Sequence, residues 1–239
     1  MQGGKPGCQR EQSKPTSYSI MKIYPSGPRR KLRGFTIIEL LVVVTIIAVL
    51  AGLVISQAPK MMEEGRKLEV RNVIISMRNG IHSYQVEYNR YPLDPKLAAG
   101  GDQDAPPFQT DENNNLIETL MGDAANMTGA PVEPNPNSLN PKGIDFVTFK
   151  IAQNGANGLV GTQAPFRLVD LWRNPYWVQM DTNTDRKVMN PDVQNQDPKI
   201  SQNPNSPAPQ YIPTDVIIYS NGKDKIQLTG DDIASWRDN

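Results

Sequence analysis

Four oxygen-bearing side chains stand close together near the C-terminal end of the chain: Ser220, Asp224, Asp231 and Asp232. Three carboxylates within nine residues, with Gly222 and Gly230 letting the backbone turn, suit a hard cation and suit a solvated acidic turn equally well. Lys223 and Lys225 flank Asp224, where they would weaken an ion or partly replace it. A second acidic run, Asp181-Thr182-Asn183-Thr184-Asp185-Arg186 with Asp192 beyond it, imitates the start of an EF-hand loop. Arg186 occupies the position where such a loop needs Gly, and Pro191 opposes a following helix. The run therefore reads as a β-hairpin turn closed by Asx-type hydrogen bonds. Other chemistry is poorly served. One Cys and one His among 239 residues leave no basis for a His/Cys zinc site or a Cys–His dyad. Gly155, Gly158 and Gly161 follow no βαβ pattern, so no phosphate loop is expected. His82 has no nucleophile-type partner and reads as a surface or packing residue. With no nucleophile–base or metal constellation of the catalytic kind, the chain does not read as an enzyme.

One carboxylate stands apart. Glu39 is the only charged residue between Phe35 and Ile55, a run of 21 residues. As a helix that run covers about 30 Å, the thickness of a bilayer's hydrocarbon core. A core helix of a soluble domain is the competing reading, but such helices rarely stay apolar on every face. A carboxylate in hydrocarbon is costly and asks for a partner. The formal net charge is zero, from 25 basic and 25 acidic residues, yet it divides sharply. Residues 1–34 carry eight basic side chains and Glu11, which leaves 17 basic and 24 acidic residues in the remainder. Arg29, Arg30, Lys31 and Arg33 abut the apolar run and place its N-terminal end in the cytoplasm by the positive-inside rule. Residues 1–34 read as a basic, Gly/Pro-containing leader, with Met21 an alternative start and Cys8 outside any folded domain. A secretory signal peptide has a shorter apolar run followed by a small-residue cleavage site. Here the small residue, Gly34, precedes the run.

Beyond the span, Val70, Ile74, Met77, Ile81, Tyr84 and Tyr88 recur at spacings of three and four, the stripe of an amphipathic helix. Pro59 is expected to kink or loosen it, and Arg90-Tyr91-Pro92 to end it near Asn89. Arg66, Lys67, Arg71 and Arg78 read as its solvated face. An external region with excess carboxylates does not present a nucleic-acid surface. Long Pro/Gly/Asn-rich loops are expected at 93–142 and 183–213, the first broken by a short helix at Leu116–Met121. Six prolines between Asn190 and Pro213 exclude a regular element there. Strands are expected at Phe146–Ile151, Phe166–Leu171, Tyr176–Met180, Val216–Ser220 and Ile226–Leu228. Trp172, Trp177 and Trp236 read as core or loop anchors. The fold class is α+β: a long N-terminal helix packed on a small antiparallel sheet. It divides into a leader (1–34), a membrane helix (35–58) and an external domain (59–239).

The segment Arg33-Gly34-Phe35-Thr36-Ile37-Ile38-Glu39-Leu40-Leu41 resembles the cleavage and methylation motif of type IV prepilins, a family that includes the pseudopilins of type II secretion. The resemblance implies a pilin-like fold, a cut between Gly34 and Phe35 by a prepilin peptidase, and N-methylation of Phe35. It implies that Glu39 neutralises the N-terminal amine of a neighbouring subunit in a homo-oligomeric helical filament. Asp170-Leu171-Trp172-Arg173-Asn174-Pro175-Tyr176 and Glu87-Tyr88-Asn89-Arg90-Tyr91-Pro92 are similar to segments of the major pseudopilins. Ile218–Asp224 with Gly230–Trp236 resembles their calcium-binding loop, which implies calcium on Ser220, Asp224, Asp231 and Asp232. The inserts at about 93–142 and 183–213 are not covered by the resemblance. The function implied is that of a structural subunit of a periplasmic pseudopilus. Its implied partners are other pseudopilins and an inner-membrane assembly platform. It would be anchored by a single inner-membrane span, with its C-terminal domain in the periplasm. A type IV pilin or minor pilin of a surface fibre, and a membrane-anchored periplasmic binding module, are the competing readings.

Overall fold

The computed structural model describes residues 34–95, 101–111, 113–122, 138–162 and 164–237. The basic leader before Gly34, with Cys8 and Met21, lies outside the described residues, as do 96–100 and 123–137 of the first long loop. The chain divides after Leu53 into two compact units.

Helix α1 spans Ile37–Tyr88, 52 residues with Pro59 inside it. The expected interruption at Pro59 does not end the helix: proline removes one backbone donor, and the turns on either side carry the helix past it. The helix stops at Asn89, which takes a left-handed φ of 52° while its N–H reaches the Gln85 carbonyl at 2.8 Å. Asn tolerates that conformation at a helix C-terminus, and Pro92 prevents resumption.

The amphipathic stripe packs as its spacing requires. Val70, Ile74, Met77, Ile81 and Tyr84 are fully or almost fully buried, and Tyr88 is partly buried against the same core. They meet a four-stranded antiparallel sheet ordered β1 (Phe108–Gln109), β4 (Trp177–Met180), β7 (Val216–Ser220), β8 (Ile233–Ala234). Val178, Met180, Val216 and Ile218 supply its core face. In register, Trp177 lies opposite Tyr219 and Met180 opposite Val216. A hairpin of β2 (Gly158–Val160) and β3 (Arg167–Val169) and a pair β5 (Val188–Met189)–β6 (Tyr211–Ile212) complete the strands, and α2 (Leu116–Leu120) closes the core. Truncating a buried residue of this kind costs about 2–5 kcal/mol. Ile81→Ala is expected to fall in that range by denaturant unfolding of the detergent-solubilised chain. Ile75→Ala, on the exposed side of the same helix, is expected to stay within about 0.5 kcal/mol.

Several local expectations are corrected. Phe146–Ile151 is not a strand, because the amides of Phe146 and Val147 donate to the last carbonyl of α2, at Leu120 (2.9 and 3.2 Å). Ile226–Leu228 is a turn: Leu228 has a φ of 61° and its amide donates to Asp232 Oδ2 at 2.8 Å. The proline-rich stretch holds a 3-10 helix at Pro191–Gln194, a one-turn α3 at Pro198–Ser201, and β6. Pro191 and Pro198 each stand at the first helical position, where the missing N–H is no loss. The Asn190 and Asp197 side chains precede them as caps. Strands β1, β2 and β5 are too short to leave a periodic trace in sequence.

Candidate functional site

The N-terminal motif sits on the first turn of α1. Thr36 N–H and Thr36 Oγ1 both donate to Glu39 Oε2 at 2.9 Å, and Glu39 N–H donates to Thr36 Oγ1 at 3.2 Å. This is a reciprocal capping box, which satisfies donors that the helix start would otherwise leave open. The Thr-x-x-Glu spacing was readable in the sequence, yet only the charge of Glu39 drew notice there. Every described side chain from Phe35 to Ile55 is exposed. That finding removes the reading of a buried core helix; an apolar surface of this extent needs lipid or other copies to cover it. Among the described residues α1 is the one helix long and apolar enough to cross a membrane.

The C-terminal loop is positioned by a buried carboxylate, Asp170, whose role no local pattern in the sequence indicates. Asp170 accepts from the amides of Trp172 and Asn174 (both 2.8 Å), from Asn174 Nδ2 (2.9 Å) and from Ser220 Oγ (2.5 Å). Asn174 Nδ2 also donates to the Gly222 carbonyl at 2.7 Å. The motif from Asp170 to Tyr176 thus fixes the first residues of the loop. Burial raises the Asp170 carboxyl above its ordinary value, opposed by the hydroxyl of Ser220 and by Asn174.

Of the four candidate cation ligands, Ser220 is set apart: its side chain is buried and its hydroxyl proton is spent on Asp170. Asp224 and Asp231 are tied together through the loop backbone, and Ile226 N–H donates to Asp224 Oδ1 at 2.8 Å. Asp231 Oδ2 also accepts from the amides of Lys223 and Asp224 at 2.8 and 3.0 Å. Burial acts to raise Asp231, but these amides with Thr229 and Asp224 hold it below the usual carboxylate range. Asp232 is joined to Asp231 through Thr229 Oγ1, which lies 2.8 Å from Asp231 Oδ1 and 3.3 Å from Asp232 Oδ1. Among the described residues no three acidic, His or Cys side chains form one metal cluster. A cation in this loop would draw on the carboxylates of Asp224, Asp231 and Asp232 and not on the Ser220 hydroxyl, which is bound to Asp170. Lys223 does not stand in for that ion, because its ammonium lies 4.0 Å from Glu63 on α1.

Burial pushes Asp232 up to about 6, although Arg237 and the amides of Thr229 and Leu228 oppose it. A carboxyl raised above its ordinary 3.8 stabilises the fold in its protonated form, so its contribution is present below about pH 4 and is lost as pH rises through about 6. Asp232→Asn removes that loss. The melting temperature of the wild type minus that of the variant is expected to fall between pH 4 and pH 6.5, as read by thermal unfolding.

The second acidic run closes as expected. Asp181 accepts from the amides of Asp185 and Arg186 at 3.0 and 2.7 Å, with Thr184 and Arg186 at φ of 62° and 63°. It is an Asx-type turn but not a hairpin, since β4 pairs with β7 and β5 with β6. His82 Nδ1 lies 3.1 Å from Asp215, a partly exposed contact on the side of α1. The tryptophans divide: Trp172 packs at the core edge, Trp177 stacks on Tyr219 at 6.1 Å, and Trp236 meets the same ring edge-on at 5.7 Å.

Comparison with known proteins singles out the N-terminal segment. Residues 29–55 match the family model described as the prokaryotic N-terminal methylation motif. The type II secretion system core protein G of Pectobacterium carotovorum subsp. carotovorum is 36% identical over 67 residues, 28% of this chain and 42% of that protein. Core protein G of Escherichia coli K12 is 36% identical over 62 residues (26% of this chain, 43% of that protein). Core protein G of Aeromonas hydrophila is 31% identical over 64 residues (27% and 45%). The chain spans less than half the length of these curated relatives. No solved structure matches it significantly. The chain thus carries a prepilin-type methylation motif at the head of an exposed apolar span, and part of it is homologous to type II secretion system core protein G.

Proposed function

We propose that the protein is a structural subunit of a periplasmic pseudopilus of a type II secretion system. The single observation that carries this reading is the placement of Gly34, Phe35 and Glu39 at the head of the exposed apolar span of α1, within the segment that matches the methylation motif. A prepilin peptidase cuts between Gly34 and Phe35, and Phe35 is N-methylated. The helix anchors the subunit in the inner membrane with its leader in the cytoplasm and its folded domain in the periplasm. There it assembles side by side with further copies and with other pseudopilins on an inner-membrane platform, and the growing fibre drives protein export. The subunit's work is mechanical: side chains bind and position, and no bond is made or broken.

The exposed apolar surface supports lateral packing, and Glu39 supports a fixed register. One of its carboxylate oxygens closes the capping box, while the charge is available to the amine of a neighbouring Phe35. Mass spectrometry of the membrane-extracted protein tests the reading. N-methyl-phenylalanine at residue 35 is the expected N-terminus; an intact leader would overturn it.

Calcium on the Asp224–Asp231 pair is part of the same proposal. Asp224 and Asp231, tied together through the loop backbone, would be bridged by a divalent cation, whose chemistry is purely that of an oxygen-ligated cross-link within the loop. Calorimetric titration of the full chain with calcium chloride is expected to show one binding event that Asp224→Ala removes. Equal heats from both proteins would count against it.

A further inference from the structure

The segment Asn190–Ser201 belongs to an insert outside the family resemblance, yet it makes the most extensive contacts to the C-terminal loop. Asp192 lies at its centre, only 5% exposed. Its Oδ2 accepts from Trp236 Nε1 at 2.7 Å and from Arg237 Nε at 2.9 Å, and its Oδ1 pairs with a second guanidinium nitrogen of Arg237. Arg237 Nη1 reaches on to the Asp232 carbonyl at 3.3 Å. A second set of bonds holds the other limb of the loop. Gln196 N–H donates to the Leu228 carbonyl at 2.7 Å, Asn195 Nδ2 to Thr229 at 3.1 Å and Gln196 Nε2 to Gln227 at 3.3 Å. Asp197 packs so closely on Gly230 that a Cβ there would lie 2.7 Å from Asp197 Oδ2.

These contacts grip residues 227–229, between Asp224 and Asp231, and residues 236–237 beyond them. Asp192 is itself held within its own segment, since its amide donates to the Asn190 cap at 3.0 Å. A bidentate guanidinium–carboxylate pair with an added indole donor, removed from water, is a directional lock. Breaking one side leaves a buried charge unpaired.

We propose that Asn190–Ser201 is a built-in clamp for the C-terminal loop, docking Trp236 and Arg237 on Asp192, so that the loop stays ordered without a divalent cation. Calcium then adds to an already closed loop instead of closing it. The clamp is intramolecular and holds whether or not the subunit enters a fibre.

Hydrogen–deuterium exchange of the full-length, detergent-solubilised chain tests this, with peptides from 226–237 as the readout and β7 (Val216–Ser220) as the internal reference. In the wild type, exchange at 226–237 is expected to be the same within about twofold in excess EGTA and in calcium chloride. Asp192→Asn in EGTA is expected to speed exchange there about tenfold or more while β7 stays protected. Calcium is expected to restore much of that protection. Where Asp192→Asn also exposes β7, Arg237→Gln is judged by the same criterion. A wild-type loop that opens in EGTA, or variants that protect it as the wild type does, would overturn the clamp.

Discussion

Glu39→Val is expected to leave membrane insertion intact and to reduce pseudopilus assembly by about a hundredfold or more. The replacement removes the one formal charge between Phe35 and Ile55, so the helix partitions into lipid at least as well as before. On the proposed reading, what it takes away is the partner for a neighbour's amine in a dry interface. Breaking a buried ion pair from one side costs about 3–5 kcal/mol, and each 1.4 kcal/mol is about tenfold in an equilibrium. The geometry supplies a control that charge alone would not suggest. Because Glu39 also closes a capping box with Thr36, its loss weakens the first turn, an effect typically worth about 1 kcal/mol. Glu39→Gln keeps an oxygen that can accept from Thr36 and discards only the charge. If pairing with the amine matters, Gln assembles as poorly as Val. If capping is the whole role, Gln assembles nearly as well as the wild type. Sheared-fibre yield against total membrane-inserted protein, measured for all three chains, separates the two.

Gly222→Ala is expected to be the most damaging single methyl in the C-terminal loop. The backbone there has φ of +67°, and a Cβ would sit 2.4 Å from the Asp231 carbonyl oxygen and 2.8 Å from Asp231 Oδ2. The left-handed conformation by itself costs a non-glycine residue about 1–3 kcal/mol. The contact adds to it, because the atom in the way is backbone and cannot swing aside. A total of about 3–5 kcal/mol is expected, in the range reserved for changes of this mechanism. Gly155→Ala is the control: φ is +72°, with nothing within 4 Å of the new methyl, so only the conformational cost applies. Denaturant unfolding is expected to place the two variants at least about 2 kcal/mol apart. Since Gly222 lets Asp231 approach Asp224, the damaged loop is also expected to lose calcium-dependent heat.

Much of the fold was legible because it rests on long periodic patterns. The 21-residue, largely apolar run that holds Glu39 and the stripe from Val70 to Tyr84 each carry their own geometry, so α1 and its buried face followed from spacing alone. Val216–Ser220 and Tyr176–Met180 were visible for the same reason, as apolar runs long enough to pair. Phe146–Ile151 looked similar but has no ladder, since its amides are taken by the end of α2. The prolines of 190–213 were read as breakers, whereas capped by Asn190 and Asp197 they start helices. A propensity tells what a residue resists, and only its neighbours tell whether the resistance matters.

The candidate sites divide along the same line. Gly34, Phe35 and Glu39 are local in sequence, and a local motif states its chemistry wherever the rest of the chain goes. Their exposure at the head of α1 added the cap but did not change the argument. The C-terminal loop is different. Its carboxylates were countable, but which of them face each other depends on turns set by Lys225 and Leu228 in left-handed backbone. Ser220 turned out to belong to Asp170, 50 residues away. Asp192 and Arg237 are 45 residues apart, with no pattern to join them, yet they form a bidentate pair that holds the end of the loop. The apolar span, the methylation motif and the packed face beyond them could be read from residue order, because those depend on neighbours three or four residues away. Only the tertiary structure decided which oxygens pair with each other and which pair with backbone, because that choice is made between segments brought together by burial.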